Sequence, residues 1–199
     1  MSVALCALVA AAAWVGCSPE PPPPKLAVVL VVDQMRADYL DRFDVSFEGG
    51  LRRLLDEGTV FEQCHFGHAM TGTAPGHATL STGCDPRGHG VFEQVWFDKA
   101  HRREVLFTED EQHQLLGLPA EPGVSPHRMQ RDTAGDWLKA ASPQSKVFAV
   151  AIKARSAVSM GGRGPDAAYW YEPDLPGALS STYYMDELPA WVRSMAAWR

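Results

Sequence analysis

Three short groups of residues in this sequence could carry chemistry on a phosphoryl group. Asp33 directly follows a run of seven apolar residues, and a carboxylate held there could bind a hard or borderline cation. Thr73 lies in a Gly-, Thr- and Pro-rich segment, where a helix N-terminus would offer N–H groups and a positive dipole to a phosphoryl oxygen. Lys153 and Arg155 are separated by one residue, so on a strand both cations would face one site and could clamp phosphate oxygens.

Each group also has an ordinary structural interpretation. Asp33 could cap a helix or accept a hydrogen bond within a loop. Thr73 could merely cap the helix that Pro75 opens. Lys153 and Arg155 could lie on a solvated edge. Taken singly, the three groups therefore leave the function open.

The surrounding elements predict an α/β layered fold. Leu26 to Val32 is apolar and mostly β-branched, which predicts a strand buried on both faces of a parallel sheet and ending at Asp33. Further predicted strands cover Thr59 to Phe66, Lys146 to Lys153 and Ala167 to Tyr171. Helices are predicted from Leu51 towards Gly58, from Gly76 to Thr82, from Thr133 to Ala141 and from Pro189 onward. Strands that alternate with helices are typical of α/β proteins.

Composition sets the broad class. The chain has 199 residues, of which 46% are hydrophobic and 21% charged, which suits one globular domain. Its formal net charge of −6 argues against nucleic acid as a partner, because phosphate backbones select basic surfaces. The charge does not exclude phosphate esters, since a few local cations can outweigh it.

The first residues predict export. Residues 1–17 read as a signal peptide of the lipoprotein type, in which Cys17 would carry the lipid; simple signal cleavage is the alternative. Residues 18–25 read as a Pro-rich linker, and residues 26–199 as the folded portion. We therefore expect a periplasmic or outer-surface protein that meets the membrane only through that lipid. Cys64 and Cys84 could form a disulfide after export or remain buried thiols.

The motifs together closely resemble the alkaline phosphatase superfamily, in particular its bacterial phosphate-irrepressible branch, with the type I phosphodiesterases and nucleotide pyrophosphatases as neighbours. The resemblance runs from about Leu26 to the last residue. The residues that carry it are Val31 to Arg36, Thr73 to Ala78, Thr82-Gly83, His89-Gly90, Lys153 to Arg155, Asp166 to Tyr171 and Ser181 to Met185. It implies an alkaline-phosphatase-like α/β/α sandwich with a mostly parallel central sheet, incomplete in this chain.

The resemblance also implies the roles of individual residues. Thr73 matches a threonine nucleophile that becomes a phospho-enzyme and contacts metal, and Asp33 matches a zinc-ligand aspartate. Lys153 and Arg155 match a pair that contacts the phosphoryl oxygens and favours monoesters over diesters. Gln94 stands where such enzymes usually have an asparagine that hydrogen-bonds a phosphate oxygen.

Four further residues belong to the matched motifs. We interpret His77 and His89 as structural residues that hold the loops around Thr73. Tyr183 and Tyr184 either line or buttress the rim of the site or pack in the core.

The same resemblance implies two zinc ions, with most of their Asp and His ligands in the second half of such enzymes. No histidine follows His127 here, and Asp33 is the one matched carboxylate ligand. The histidines are His65, His68, His77, His89, His101, His113 and His127. We therefore expect these 199 residues alone to be an inactive or poorly folded fragment.

The favoured function is hydrolysis of small phosphate monoesters by an enzyme that we expect to be a monomer. One alternative is a phosphodiesterase or nucleotide pyrophosphatase with the same nucleophile. The other is a non-catalytic, anion-binding lipoprotein domain.

Overall fold

A computed structural model describes residue 22 and residues 24–118, 121–171 and 177–195. The predicted signal peptide and Cys17 lie outside these residues, as does most of the predicted linker. The chain divides into two compact units, Met1–Gly49 and Gly50–Arg199, which are described separately below.

The described part of the first unit contains helical turns and no strand. Its elements are helix α1 (Tyr39–Arg42) and a 3₁₀ turn (Asp44–Ser46). The strand predicted for Leu26 to Val32 is wrong, because these residues pair with no other strand in the described chain, and Val28 and Leu30 are 77% and 79% exposed. An apolar run predicts burial, but a strand also needs a neighbour for its backbone groups.

A hairpin that the sequence did not predict follows in the second unit. Strands β1 (Val95–Asp98) and β2 (Arg103–Leu106) pair antiparallel, with Val95 opposite Leu106. The strand predicted for Thr59 to Phe66 is absent, because that range contains one turn, at Glu62 and Gln63, and is otherwise irregular. All of its residues are exposed, so no packing holds it in a sheet.

The main sheet has five strands in the order β4-β3-β7-β6-β5. Only β5 and β6 pair in parallel, whereas the other three pairings are antiparallel. The α/β class is therefore confirmed, but in the described residues the sheet is mixed rather than mostly parallel. The strands are β3 (Glu109–Leu116), β4 (Pro122–Val124), β5 (Phe148–Ala151), β6 (Ala167–Tyr171) and β7 (Ala178–Ser181).

The helices of the second unit match the predictions more closely. They are α2 (Gly49–Glu57, which begins at the end of the first unit), α3 (Thr73–Thr82), α4 (Pro86–His89), α5 (Ala134–Ala141), α6 (Ala154–Gly161) and α7 (Ala190–Ser194). Thr133 caps α5 by accepting from the Asp136 N–H, and the Asp136 carboxylate accepts from the Thr133 N–H in return. No helix in the described ranges has the length and apolar character needed to cross a membrane.

Strand β6 has a helix on each face, which gives the local α/β/α layering. Trp170 is in a core cluster with Ala157 of α6, whereas Tyr169 is in a cluster with Val192 of α7. Successive residues of a strand point to opposite faces, so this alternation assigns α6 to one face and α7 to the other. Helix α3 then packs on α6 through a third cluster that contains Ala74, Ala78 and Val158.

Candidate active site

Thr73 is the first residue of α3 and is 9% exposed. Gly72 precedes it in an extended conformation, and Pro75 follows within the first turn, where a missing N–H costs no helical bond. Because α3 carries small, uncharged side chains, most of its residues can be buried on all sides. The helix therefore holds the Thr73 hydroxyl at its positive end, on a rigid and buried element.

His77 fixes the first turn of the same helix. Its Nδ1 donates to the Thr73 carbonyl at 2.7 Å, and the side chain is buried. This contact fits the structural role predicted for His77, since it acts on the backbone of Thr73 and not on the hydroxyl.

Hydrogen bonds connect three side chains, those of His89, Thr79 and His68, and Thr79 belongs to α3. The Val91 N–H donates to Nδ1 of His89 at 3.0 Å, so His89 is neutral and carries its proton on Nε2. That Nε2 donates to the Thr79 hydroxyl at 3.1 Å, and the same hydroxyl is hydrogen-bonded to Nε2 of His68 at 3.0 Å. Burial, aided by nearby His68 and opposed by Asp85, lowers the pKa of His89 below 6.5.

Sequence reasoning predicted the structural role of His89 but missed its two partners. His68 and Thr79 carry no motif of their own, and only the packing of their loop and helix brings them together. Nδ1 of His68 is buried with no hydrogen-bond partner in the described part of the chain. The chain of hydrogen bonds therefore ends at that nitrogen.

Lys153 and Arg155 do not lie on a strand, which corrects the prediction. Strand β5 ends at Ala151, Lys153 is the N-cap of α6, and Arg155 is in the first turn of that helix. Side chains two apart on a helix do not share a face, so the strand argument fails. Both residues nevertheless belong to the N-terminal end of α6, beside the N–H groups of its first turn.

One nitrogen of the Arg155 guanidinium lacks a hydrogen-bond partner among the described residues. Its Nε is buried and has no hydrogen-bond partner there. Neither Arg155 nor the exposed Lys153 forms an ion pair with any described residue.

Helices α3 and α6 pack against each other. Ser81 in the last turn of α3 donates to the carbonyl of Ser159 in the last turn of α6 at 2.6 Å. Val158 of α6 lies in one core cluster with Ala74 and Ala78 of α3. Thr73 and the two cations, Lys153 and Arg155, are thus at the starts of two helices that contact each other.

Gln94 lies on the loop that runs past the start of α3. The preceding residue, Glu93, places Oε1 3.9 Å from the position that a Cβ on Gly72 would take, and Val91 packs with Ala74. Oε1 of Gln94 is buried without a hydrogen-bond partner among the described residues. Since the Gln94 N–H donates to that Glu93 oxygen at 2.7 Å, the backbone of Gln94 lies near the start of α3.

In the loop before Gln94, the backbone at Gly90 passes close to the side chain of Gln130. Gly90 has φ +78, and a Cβ there would lie 2.8 Å from the Gln130 side chain. The Gln130 N–H donates to the carbonyl of His89 at 2.9 Å. These contacts fix the path of the chain from His89 to Gln94.

Asp33 is in the first unit, in an exposed turn whose next residue, Gln34, has φ 62. Within the described ranges, no group of three or more His, Cys, Asp or Glu side chains could hold a metal ion. Asp33 and the Thr73 hydroxyl do not make a complete donor set for zinc, which takes four ligands in structural sites and three plus water in catalytic ones. The described residues therefore do not by themselves fit the predicted two-zinc centre.

Tyr183 and Tyr184 hold the loop after α6. The Tyr183 hydroxyl donates to the carbonyl of Arg163 at 3.2 Å, and the Tyr184 hydroxyl donates to that of Gly162 at 3.3 Å. Burial raises the pKa of Tyr184 well above 10.0, and its ring packs against the cluster that contains Ala74. Of the two predicted roles, a place at the rim of the site or packing in the core, core packing describes Tyr184.

One polar cluster was missed by sequence reasoning because its members come from separate elements. Ser125 donates to the Asp110 carboxylate at 2.5 Å and lies 3.0 Å from Nδ1 of His127. The serine hydroxyl is buried and its proton goes to Asp110, so it is not arranged as a nucleophile. Cys64 and Cys84 are both free. Neither predicted alternative therefore describes them, because the disulfide is absent and the thiols are not buried: Cys64 is exposed and Cys84 half-buried.

Comparison with known proteins identifies the family. The model of the family "Type I phosphodiesterase / nucleotide pyrophosphatase" matches residues 27–194. Alkaline phosphatase PhoV of Synechococcus elongatus is 39% identical over 179 residues, covering 88% of this chain and 32% of the relative. Alkaline phosphatase PafA of Elizabethkingia meningoseptica is 38% identical over 175 residues, covering 86% of this chain and 32% of the relative.

The solved structures agree. The crystal structure of wild-type PafA superposes with a TM-score of 0.79 at 36% identity, covering 82% of this chain and 32% of that one. A PafA mutant in which a threonine, an asparagine, a lysine and an arginine are replaced gives 0.80 at 34% identity, covering 84% and 33%. This chain thus spans about a third of the length of the proteins it matches. It belongs to the type I phosphodiesterase / nucleotide pyrophosphatase family and is similar to the alkaline phosphatases within it.

Proposed function

We propose that the protein carrying this chain hydrolyses phosphate monoesters through a phospho-threonine intermediate on Thr73. The observation that supports the proposal is that α3, which begins at Thr73, packs on α6, whose start carries Lys153 and Arg155. Buried N–H groups and cations at helix starts suit a phosphoryl group.

The chemistry divides into two displacements. The Thr73 oxygen forms a bond to phosphorus, the bond from phosphorus to the ester oxygen breaks, and the departing alcohol gains the proton that the hydroxyl gives up. Water then attacks the same phosphorus, which restores the hydroxyl and releases inorganic phosphate. Lys153 and Arg155 balance the charge of the non-bridging oxygens in both steps.

Gln94 completes the proposed phosphate contacts. The threonine and asparagine replaced in the PafA mutant are as far apart in sequence as Thr73 and Gln94, and its replaced lysine and arginine are separated by one residue, as Lys153 and Arg155 are. The amide of Gln94 reaches one methylene further than that of an asparagine. Its contact with phosphate would therefore be displaced from the one that an asparagine would make at this position.

Zinc remains part of the proposal. When bound, zinc lowers the pKa of a coordinated hydroxyl and stabilises developing charge on oxygen. Asp33 and Thr73 would supply two of the ligands, and the others would come from outside the described residues. Dialysis against a chelator followed by addition of zinc should remove and restore phosphate release.

The test is substitution of Thr73 in the protein expressed from its full-length gene. Thr73→Ala should abolish release of inorganic phosphate from a monoester, whereas Thr73→Ser should retain a measurable rate because it keeps the hydroxyl. Acid quenching of the wild-type reaction should trap phosphate on the peptide that contains Thr73. Unchanged turnover in Thr73→Ala would contradict the proposal.

The family match favours a second candidate, hydrolysis of phosphodiesters by the same nucleophile. A diester presents one fewer anionic oxygen to Lys153 and Arg155, so the pair favours monoesters. The ratio of kcat/KM on phenyl phosphate to that on a phenyl diester decides between the two activities. The remaining alternative, a non-catalytic anion-binding domain, predicts a melting temperature raised by phosphate without turnover.

Export and lipid attachment also remain proposals. The protein would be periplasmic or on the outer surface, held by a lipid on Cys17. Its partners would be small phosphate monoesters, and it would act as a monomer. Mass spectrometry of the protein purified from membranes tests the lipid directly.

A further inference from the structure

A carboxylate lies beside the start of α3, the helix that begins with the proposed nucleophile. Oε1 of Glu93 is 3.9 Å from the position that a Cβ on Gly72 would take, and Gly72 directly precedes Thr73. The glutamate is half-buried. A negative charge is therefore placed next to the backbone that leads into Thr73.

This carboxylate is held in position by the residues on either side of it. Oε1 of Glu93 accepts from the Gln94 N–H at 2.7 Å, and the Gln94 carbonyl accepts from the Phe107 N–H at 2.8 Å. Two residues earlier in the chain, Val91 is fully buried in a core cluster with Ala74 of α3. These contacts keep Oε1 beside the helix start whether or not a ligand is bound.

The charge of Glu93 is not balanced by a neighbouring cation. Glu93 forms no ion pair with any residue in the described ranges, and α3 carries no lysine or arginine. Water and salt screen a half-buried charge less than a fully exposed one. The field of the carboxylate therefore acts on an anion that binds at the start of α3.

A carboxylate beside a helix N-terminus also interacts favourably with the helix dipole, which by itself would make Glu93 a stabilising residue. A phosphate at Thr73 adds a second anion at the same helix start, and near neutral pH this phosphate carries about two negative charges. Like charges at this separation repel each other, so Glu93 lowers the affinity for substrate and product alike. For the product, weaker binding means faster dissociation.

We infer that Glu93 weakens the binding of inorganic phosphate at Thr73 and so promotes release of the product. This inference rests on the proposed function. It gives Glu93 no part in breaking or forming bonds. Lys153 and Arg155 attract the phosphoryl group, whereas Glu93 limits how tightly the phosphate that remains after hydrolysis is held.

The experiment measures inorganic phosphate as a competitive inhibitor of methyl phosphate hydrolysis by the protein expressed from its full-length gene. Glu93→Gln removes the charge and keeps an oxygen that can accept from the Gln94 N–H. In preparations of equal zinc content, it should lower the inhibition constant of phosphate about two- to fivefold, and added sodium chloride should shrink the difference. Glu93→Asp keeps the charge and should stay near the wild-type constant.

Glu187→Gln is the matched control. The Glu187 side chain is 82% exposed and precedes α7, which packs on the face of β6 opposite to α6. It removes the same charge and should leave the inhibition constant unchanged. An unchanged or higher constant in Glu93→Gln, or an equal decrease in Glu187→Gln, would overturn the inference while the hydrolysis itself stands. If the wild-type protein does not hydrolyse the ester, the proposed function fails and the inference fails with it.

Discussion

Arg155 is the single residue whose surroundings most clearly call for an anionic partner. Its Nε is buried and unpartnered within the described ranges, and a buried charged donor without an acceptor is costly. A bound phosphoryl group would satisfy it. The cost is tolerable in the free protein because the rest of the side chain is only half-buried.

We expect Arg155→Ala to lower kcat/KM for a phosphate monoester by about ten- to a hundredfold, since a hydrogen bond to a charged group contributes about 1.5–3 kcal/mol. The loss on a diester should be smaller, because a diester offers one fewer anionic oxygen. Steady-state kinetics on both substrates measures the difference. Arg53→Ala on α2, whose guanidinium pairs with Glu57 at the surface, is the control and should change neither rate.

His89 makes stability depend on pH. Burial, with His68, lowers its pKa in the folded protein below 6.5, whereas the unfolded chain keeps the ordinary value. Between these two pKa values the unfolded state binds more protons than the folded state. The stabilisation that neutral His89 contributes is therefore fully present above pH 6.5 and is lost as the pH falls through the folded-state pKa. We expect the midpoint temperature of thermal unfolding to decrease as the pH is lowered from about 7 to about 5.

In His89→Gln that fall should be shallower. It should not vanish, because burial, reinforced by Arg128, also lowers the pKa of His127. Calorimetric scans across this range measure both slopes. Parallel pH profiles for the wild-type protein and the variant would contradict the assignment.

Among the elements, the turn after α6 ties that helix to α5. Gly162 has φ +73 and ψ −146, a region that essentially only glycine adopts. A Cβ there would lie 2.3 Å from the Asp136 carboxylate and 2.4 Å from the Thr133 hydroxyl, the two groups that cap α5. The carbonyl of Gly162 also accepts a hydrogen bond from the Tyr184 hydroxyl at 3.3 Å.

Gly162→Ala should therefore lower the free energy of unfolding by at least about 2 kcal/mol, because strained backbone and displaced capping groups add. Denaturant unfolding of the second unit measures the loss. Gly164→Ala is the matched control in the same turn. Its Cβ would lie an acceptable 3.4 Å from Asp136, so a loss as large as that of Gly162→Ala would refute the steric explanation.

The sequence predicted elements with local signals and failed where tertiary pairing decides. Thr133 with Asp136, and Thr73 with Pro75, mark helix starts within a few residues, and both helices form close to the predicted bounds. The run from Leu26 to Val32 gave as strong a signal, yet a strand exists only when another strand accepts its hydrogen bonds.

The candidate site shows the same division. Motifs identified Thr73, Lys153 and Arg155, but the change from β5 to α6 falls at Lys153, so the helix rather than a strand positions the cations. His68 could not be found from the sequence, because its hydrogen bond to Thr79 joins a loop residue to a helix residue that only the fold brings together.

At the scale of the whole chain, the main sheet has an open edge at β5 that exposes large apolar side chains. Strand β5 pairs only with β6 in the described residues, and Phe148, Val150 and Ile152 are 64%, 77% and 68% exposed. Val150 lies opposite Tyr169, whose ring contacts the exposed Trp191 at 5.8 Å. An unpaired strand beside an apolar patch is a surface on which other chains can pair.

We therefore expect the 199-residue chain, expressed alone, to self-associate as its concentration rises, and Val150→Lys to suppress this by placing a charge on the open strand. Light scattering over a concentration series measures both effects. Val45→Lys is the control, since Val45 is 94% exposed in the first unit and lies on no sheet edge. If Val45→Lys suppresses association as well as Val150→Lys does, general charge rather than the β5 edge controls it. If the unaltered chain stays monomeric throughout, the edge is not a pairing surface, because nothing else in the described ranges protects it.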